Sequence, residues 1–222
     1  MKHAVLFAIC LAAGVLQIRA AFADPVPSRV HGVVKTFDGQ YLTLKADSGK
    51  TVVIGFQPTT RIVHSQTMSL ADIKAGNFVA TLALKSADDR LHAQAIRVFS
   101  TGMQGNGEGQ YPMESNPARI VTNGTVGAVS STPAGGTLTL SFHGAGAEGA
   151  DGCTGRAPAG GWGCTGTANL LIARGVPIIA LSNGDTTLLL PGAIVSAFAT
   201  TDAANLLTAT SITVERDGKA VQ

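Results

Sequence analysis

The sequence predicts an all-β protein built from two tandem small five-stranded β-barrels, each with one short helical turn before its fourth strand. The first observation behind this is an internal repeat. Residues Thr51–Val98 align with Thr167–Val214 at a constant offset of 116 without a gap. Arg61-Ile62-Val63 falls on Pro177-Ile178-Ile179, Ala75-Gly76-Asn77-Phe78-Val79 on Pro191-Gly192-Ala193-Ile194-Val195, and Ala93–Val98 on Ala209–Val214. Upstream, Leu42-Thr43-Leu44 matches Leu138-Thr139-Leu140 at an offset of 96, and Gly32-Val33-Val34 matches Gly124-Thr125-Val126 at 92. Five matches in order read as a duplication. The second observation is periodicity, because apolar residues in each copy recur mostly every second position, as in half-buried strands. The third is the regular spacing of turn residues between short runs of strand length.

The elements follow in order. Val30, Gly32 and Val34, then Leu42 and Leu44, alternate with polar neighbours, and Asp38-Gly39 between them is a hairpin turn whose glycine accepts a positive φ. Val52 to Phe56 supplies a third strand. Ser69-Leu70-Ala71-Asp72 reads as a capping box with aspartate in the third position, and Gly76 closes that helical turn. Phe78 to Leu84 and Leu91 to Phe99 are the fourth and fifth strands, joined by the polar turn Ser86 to Arg90. In the second copy Asp185 takes the cap position, and Pro191-Gly192 follows. Five short strands with a helical turn before the fourth fit a small barrel similar to an OB-fold, although a two-sheet sandwich gives almost the same pattern.

The organisation expected is a signal peptide at 1–23, a first barrel at 24–99 and a Gly/Pro-rich linker at 100–118. A second barrel at 119–216 then carries an insertion at 142–166, and 217–222 is a tail. Lys2 and His3, the apolar run Ala4 to Ile18, and small residues in Ala21-Phe22-Ala23 before Asp24 form the layout of a cleaved secretory signal. The run is short for a membrane span. Of the 16 Lys and Arg residues, Lys2 and Arg19 leave with it, so 14 basic residues face 14 acidic ones. A neutral chain lacks the basic excess a general nucleic-acid binder needs to displace counterions. A Gram-negative periplasmic location is therefore expected, with no membrane span after cleavage.

At Ser69–Val79 the phrase SLADIKAGNFV resembles the signature of a family of bacterial exported proteins of unknown function with OB-like barrel repeats. Gly105-Asn106-Gly107-Glu108-Gly109 followed by Thr122-Asn123-Gly124-Thr125-Val126 is similar to its two-repeat proteobacterial subgroup. That family commonly has an acidic residue where this chain has Asn77. Some members carry the label metal transporter permease, which a chain without further membrane spans does not support. The resemblance implies fold and location, and transfers no functional residues.

The insertion holds Gly152-Cys153-Thr154-Gly155 and Gly163-Cys164-Thr165-Gly166, the cysteines left after cleavage. In an oxidising compartment such a pair most simply forms a disulfide. A two-thiolate metal site is the alternative, with His143, Glu148 and Asp151 as nearby ligands. Trp162, the single tryptophan, and Arg156 are the candidate binding surface, Trp162 being either an exposed anchor or a lid over the barrel. His31, His64, His92 and His143 are candidate metal ligands, three of them in the first copy, without a ligand-spaced pair. No nucleophile elbow, HExxH, phosphate loop or dinucleotide fingerprint occurs.

The expected function is a non-enzymatic binding or scaffold protein without a cofactor, its partner a protein, a small molecule or a glycan. Metal handling is the first alternative, and a hydrolase with a site between the barrels the second.

Overall fold

The computed structural model describes residues 27–146, 152–157, 163–201 and 206–216; the expected signal segment, Trp162, Glu148, Asp151 and the tail lie outside them. The protein is all-β. In chain order the first half contributes β1 (Pro27–Phe37), β2 (Tyr41–Ala46), β3 (Thr51–Gly55), β4 (Arg61–Thr67), β5 (Phe78–Lys85) and β6 (Leu91–Phe99). There follow β7 (Gly109–Met113), β8 (Asn116–Thr132), β9 (Gly135–Gly144), β10 (Gly155–Arg156), β11 (Cys164–Ala173), β12 (Ile178–Asn183), β13 (Ile194–Thr201) and β14 (Leu207–Glu215). Residues 100–118, read as a linker, carry a 3-10 turn at Thr101–Met103 and then β7, which pairs with β8.

The turns close as the sequence indicates. Gly39 sits at φ +95°, and the Asp38 carboxylate accepts from the N–H groups of Tyr41 at 2.7 Å and Gln40 at 2.8 Å. The 3-10 turn Leu70–Asp72 is held by the Asp72 carboxylate, which accepts from the Ser69 hydroxyl at 2.6 Å and the Ser69 N–H at 2.9 Å. Its counterpart Thr186–Leu188 is capped by Asp185, which accepts from the Thr187 N–H at 2.8 Å. These hydrogen bonds favour the ionised carboxylate and hold Asp38, Asp72 and Asp185 below the usual range.

The expectation of two tandem barrels, each closed by its own five strands, is corrected by the pairing. All the strands belong to one large mixed sheet. Within it the ladders trace two closed circuits, and each circuit draws strands from both halves. One runs β1–β2–β3–β14–β13 and back to β1. The other runs β8–β9–β11–β6–β5 and back to β8. The cores follow the circuits. Val34, Leu42, Leu44 and Ile54 pack with Val195, Ala197 and Ile212, while Val79, Ile96 and Val98 pack with Leu138, Leu140 and Leu170.

The exchange is produced by β4 and β12, which are not among the five strands the sequence pattern suggests for each copy. Each prolongs the third strand of its own half past the end of its circuit. β4 lies parallel to β14, β12 lies parallel to β6, and the two pair antiparallel with each other. In that central ladder Ser65 faces Leu181, the residue 116 positions on. The other ladders come in matched couples at the offsets seen in the sequence. Ile62 pairs with Ile212 and Ile178 with Ile96; Gly32 pairs with Val195 and Gly124 with Val79. The bulge between Leu82 and Ala83 recurs between Phe198 and Ala199.

Gly32 and Gly124 mark the point where the first strand of each circuit bends between two partners. A Cβ on Gly32 would lie 2.3 Å from the Lys45 carbonyl oxygen, and one on Gly124 would lie 2.4 Å from that of Ser141. Just beyond, the register shifts between Val34 and Thr36 and between Val126 and Ala128. A side chain at either glycine would push the two backbones apart. Gly32→Ala and Gly124→Ala are each expected to cost about 1–3 kcal/mol, read from urea unfolding. The exchange itself is checked by placing a protease site in the exposed turn at 104–106. After cleavage the fragments should co-elute in native buffer and separate only in denaturant; separation in native buffer would mean that each half closes on itself.

Candidate functional site

Cys153 and Cys164 are joined as a disulfide, with Cα atoms 5.6 Å apart and a sequence separation of 11. Both cysteines are buried in the core of the β8–β9–β11–β6–β5 circuit, against Phe142 and Ala168. The bond uses both sulfurs, so the pair offers no thiolates to a metal. The staple places the described part of the insertion. Just after Cys153, β10 pairs with β7, Gly155 opposite Gln110 and Arg156 opposite Gly109. The Ala157 N–H donates to the Glu108 carbonyl at 2.8 Å. Arg156, a residue singled out from the sequence, lays its guanidinium over the Tyr111 ring, 4.5 Å from the centroid.

Beside this pairing lies a groove of about 700 Å³. β7 supplies Gln110, Tyr111 and Pro112; the insertion supplies Thr154; β9 supplies Thr137 and Thr139. The edge of β11 from Thr167 to Leu171 forms another side, and the β5–β6 turn closes it with Lys85 and Asp89 to Leu91. Lys85 Nζ and Asp89 Oδ1 stand 2.7 Å apart, a solvent-exposed pair that offsets its own charge. The Thr139 hydroxyl donates to Asn169 Oδ1 at 2.8 Å, and Gln110 Nε2 donates to the Thr122 hydroxyl at 3.0 Å. On the far side of the Tyr111–Arg156 stack a second hollow is lined by Met113, Glu114 and Val121.

The four histidines sit in four different settings. His143 Nδ1 lies 2.8 Å from Glu108 Oε1, which also accepts from the His143 backbone N–H at 3.0 Å. His92 Nε2 lies 3.5 Å from Asp88 in the neighbouring turn. His64 is half-buried on β4, opposite Ser182. His31 stands between two carboxylates, Nδ1 2.6 Å from Asp47 and Nε2 3.3 Å from Glu215. Among the described residues no group of three or more His, Cys, Asp or Glu is placed to hold a metal ion.

The His31 setting contains a residue the sequence reading missed. The Glu215 side chain is 1% exposed. Ser196 donates to its Oε1 at 3.4 Å and accepts from Arg29 at 3.2 Å. Glu215 ends β14 in an ordinary alternating pattern, so it reads as a solvated strand end. Its burial comes from β4, which lays Ser65 beside it. Arg97 on β6 belongs to the same region: burial first, and the charge of Arg29 second, push its guanidinium below the usual value.

Compared with family models, with curated proteins and with solved structures, the chain has no match in any of the three. Among the described residues no helix is long and apolar enough to cross a membrane.

The disulfide closes a short loop, and the chain-entropy account gives it about 2.5–3 kcal/mol of stabilisation. Replacing both cysteines, Cys153→Ser with Cys164→Ser, should lower the urea midpoint accordingly, and dithiothreitol should do the same to the native chain. A midpoint indifferent to both would show that the loop is ordered without the bond.

Proposed function

We propose that this is an exported, non-enzymatic binding protein that takes its ligand in the groove bounded by β7, β9, β11, Thr154 of the insertion and the β5–β6 turn. One observation carries this reading. The two segments without a counterpart in the other half, the stretch at 100–118 and the insertion at 142–166, come together where β7 pairs with β10, and both line one groove, through Gln110 to Pro112 and through Thr154. Additions to a repeated scaffold that converge on one concavity are where a fold acquires a site. The groove also borders strands β9 and β11, the second and third of their circuit, and an OB-type barrel uses that face for ligands.

Several features support export and duplication. The N-terminal layout fits a cleaved signal, and a disulfide suits an oxidising compartment such as the periplasm. The offset of 116 that relates the halves in sequence also relates β5 to β13 and β6 to β14, as expected of a duplicated unit. The likeness to exported proteins with barrel repeats belongs to the same reading.

The test uses the whole chain in its own cells. Asn169 lines the groove, and Val53 is the residue 116 positions earlier, on the other circuit. Photo-reactive benzoylphenylalanine is placed at 169 in one protein and at 53 in another. A cross-linked species specific to position 169 is expected; equal labelling at the two positions, or none at 169, would sink the proposal. Intact mass of the same protein should begin at Asp24.

A further inference from the structure

We infer that the groove takes a neutral glycan, an extended chain of sugars recognised through its hydroxyl groups. The inference rests on the reading of this groove as the ligand site. Its polar lining is dominated by hydroxyl and amide side chains: Gln110, Thr137, Thr139, Thr154, Thr167 and Asn169. A threonine hydroxyl donates one hydrogen bond and accepts two, and a side-chain amide also does both. Sugar hydroxyls have the same dual character, so such a surface satisfies them in any rotamer. A hydrogen-bonding surface of this kind rejects apolar ligands, which would leave its groups unpaired.

Charge argues the same way. Lys85 and Asp89 offset each other at the rim, 2.7 Å apart, and the other lining cation, Arg90, is exposed in the same turn near the Asp88 carboxylate. The chain beyond residue 23 has equal numbers of acidic and basic residues, so a polyanion such as nucleic acid gains little from counterion release here. The Tyr111 ring, braced by the Arg156 guanidinium stacked on it from outside the groove lining, adds a planar amphipathic wall.

A peptide captured as an added strand is the competing occupant, and the edges oppose it. β7 has Pro112, which lacks an N–H, and its first two residues are already paired with β10. β11 has its edge engaged by β6 at Leu170 and Leu171, which leaves three residues of the groove edge, Thr167 to Asn169, open to an added strand.

The experiment uses the mature full-length protein and immobilised cellohexaose, maltohexaose, chitohexaose and mannohexaose, read by biolayer interferometry. At least one should be retained. The double variant Thr139→Val with Asn169→Ala should weaken that binding at least tenfold. Thr43→Val, the counterpart of position 139 on the other circuit, should leave it unchanged. Melting curves of both variants report that they are folded.

Retention of none of the four sugars, or equal retention by the double variant, overturns the glycan assignment. If position 169 still cross-links specifically, to a protein for example, the groove remains a binding site and only its ligand class is wrong. If it does not, both readings fall together.

Discussion

The antiparallel pairing of β4 with β12 is the constraint on which the rest of the structure depends. A third strand that ended at Gly55 could let the chain turn back and close its own ring. Instead the chain resumes as β4, along β14, and is met head-on by its counterpart from the other half. Once those two strands lie side by side, the segments that follow each of them emerge beside the opposite ring. β5 and β6 then have β8 and β11 within reach, and β13 and β14 have β1 and β3. The hydrophobic cores are mixed for the same reason. Ile212 packs under Leu42 and Leu44, although well over 100 residues separate them in the chain.

Strand type and turn position were legible in the sequence because they are local. Asp38-Gly39, the Ser69–Asp72 box and the alternation of β5 and β6 depend on neighbours a few residues away, and each stands where the pattern placed it. The partner of a strand is a different matter. β13 presents Val195, Ala197 and Ala199 to a core, and β5 presents Val79 and Ala83 at the matching positions. Either strand could complete either ring with the same register, so nothing in the alternation distinguishes self-closure from exchange. The symmetry that made the repeat visible concealed which copy each strand serves.

The same ambiguity explains the missed carboxylate. An acid at the end of an alternating strand normally points to water. Glu215 does not, because β4 runs on along β14 and lays Ser65 beside it, and His31 and Ser196 are its partners. The groove, by contrast, was half legible. The insertion announced itself through its two cysteines and its length, and Arg156 was singled out with it. What could not be read was that a glycine- and proline-rich stretch such as 105–113 would form β7 and dock against it, since both residue types are poor strand formers. Tertiary pairing overrode the local preference there.

Reciprocal exchange also fixes an order of events during synthesis. As the chain emerges from its N-terminus, β1, β2 and β3 appear first, yet the strands that complete their ring are the last two of all. β5 and β6 must likewise wait for β8, β9 and β11. No closed unit exists until most of the polypeptide is available, and contacts as distant as Val30 with Ala197 make folding intrinsically slow. A chain that cannot finish its first half early keeps open strand edges until its last strands arrive. The architecture delays its own completion.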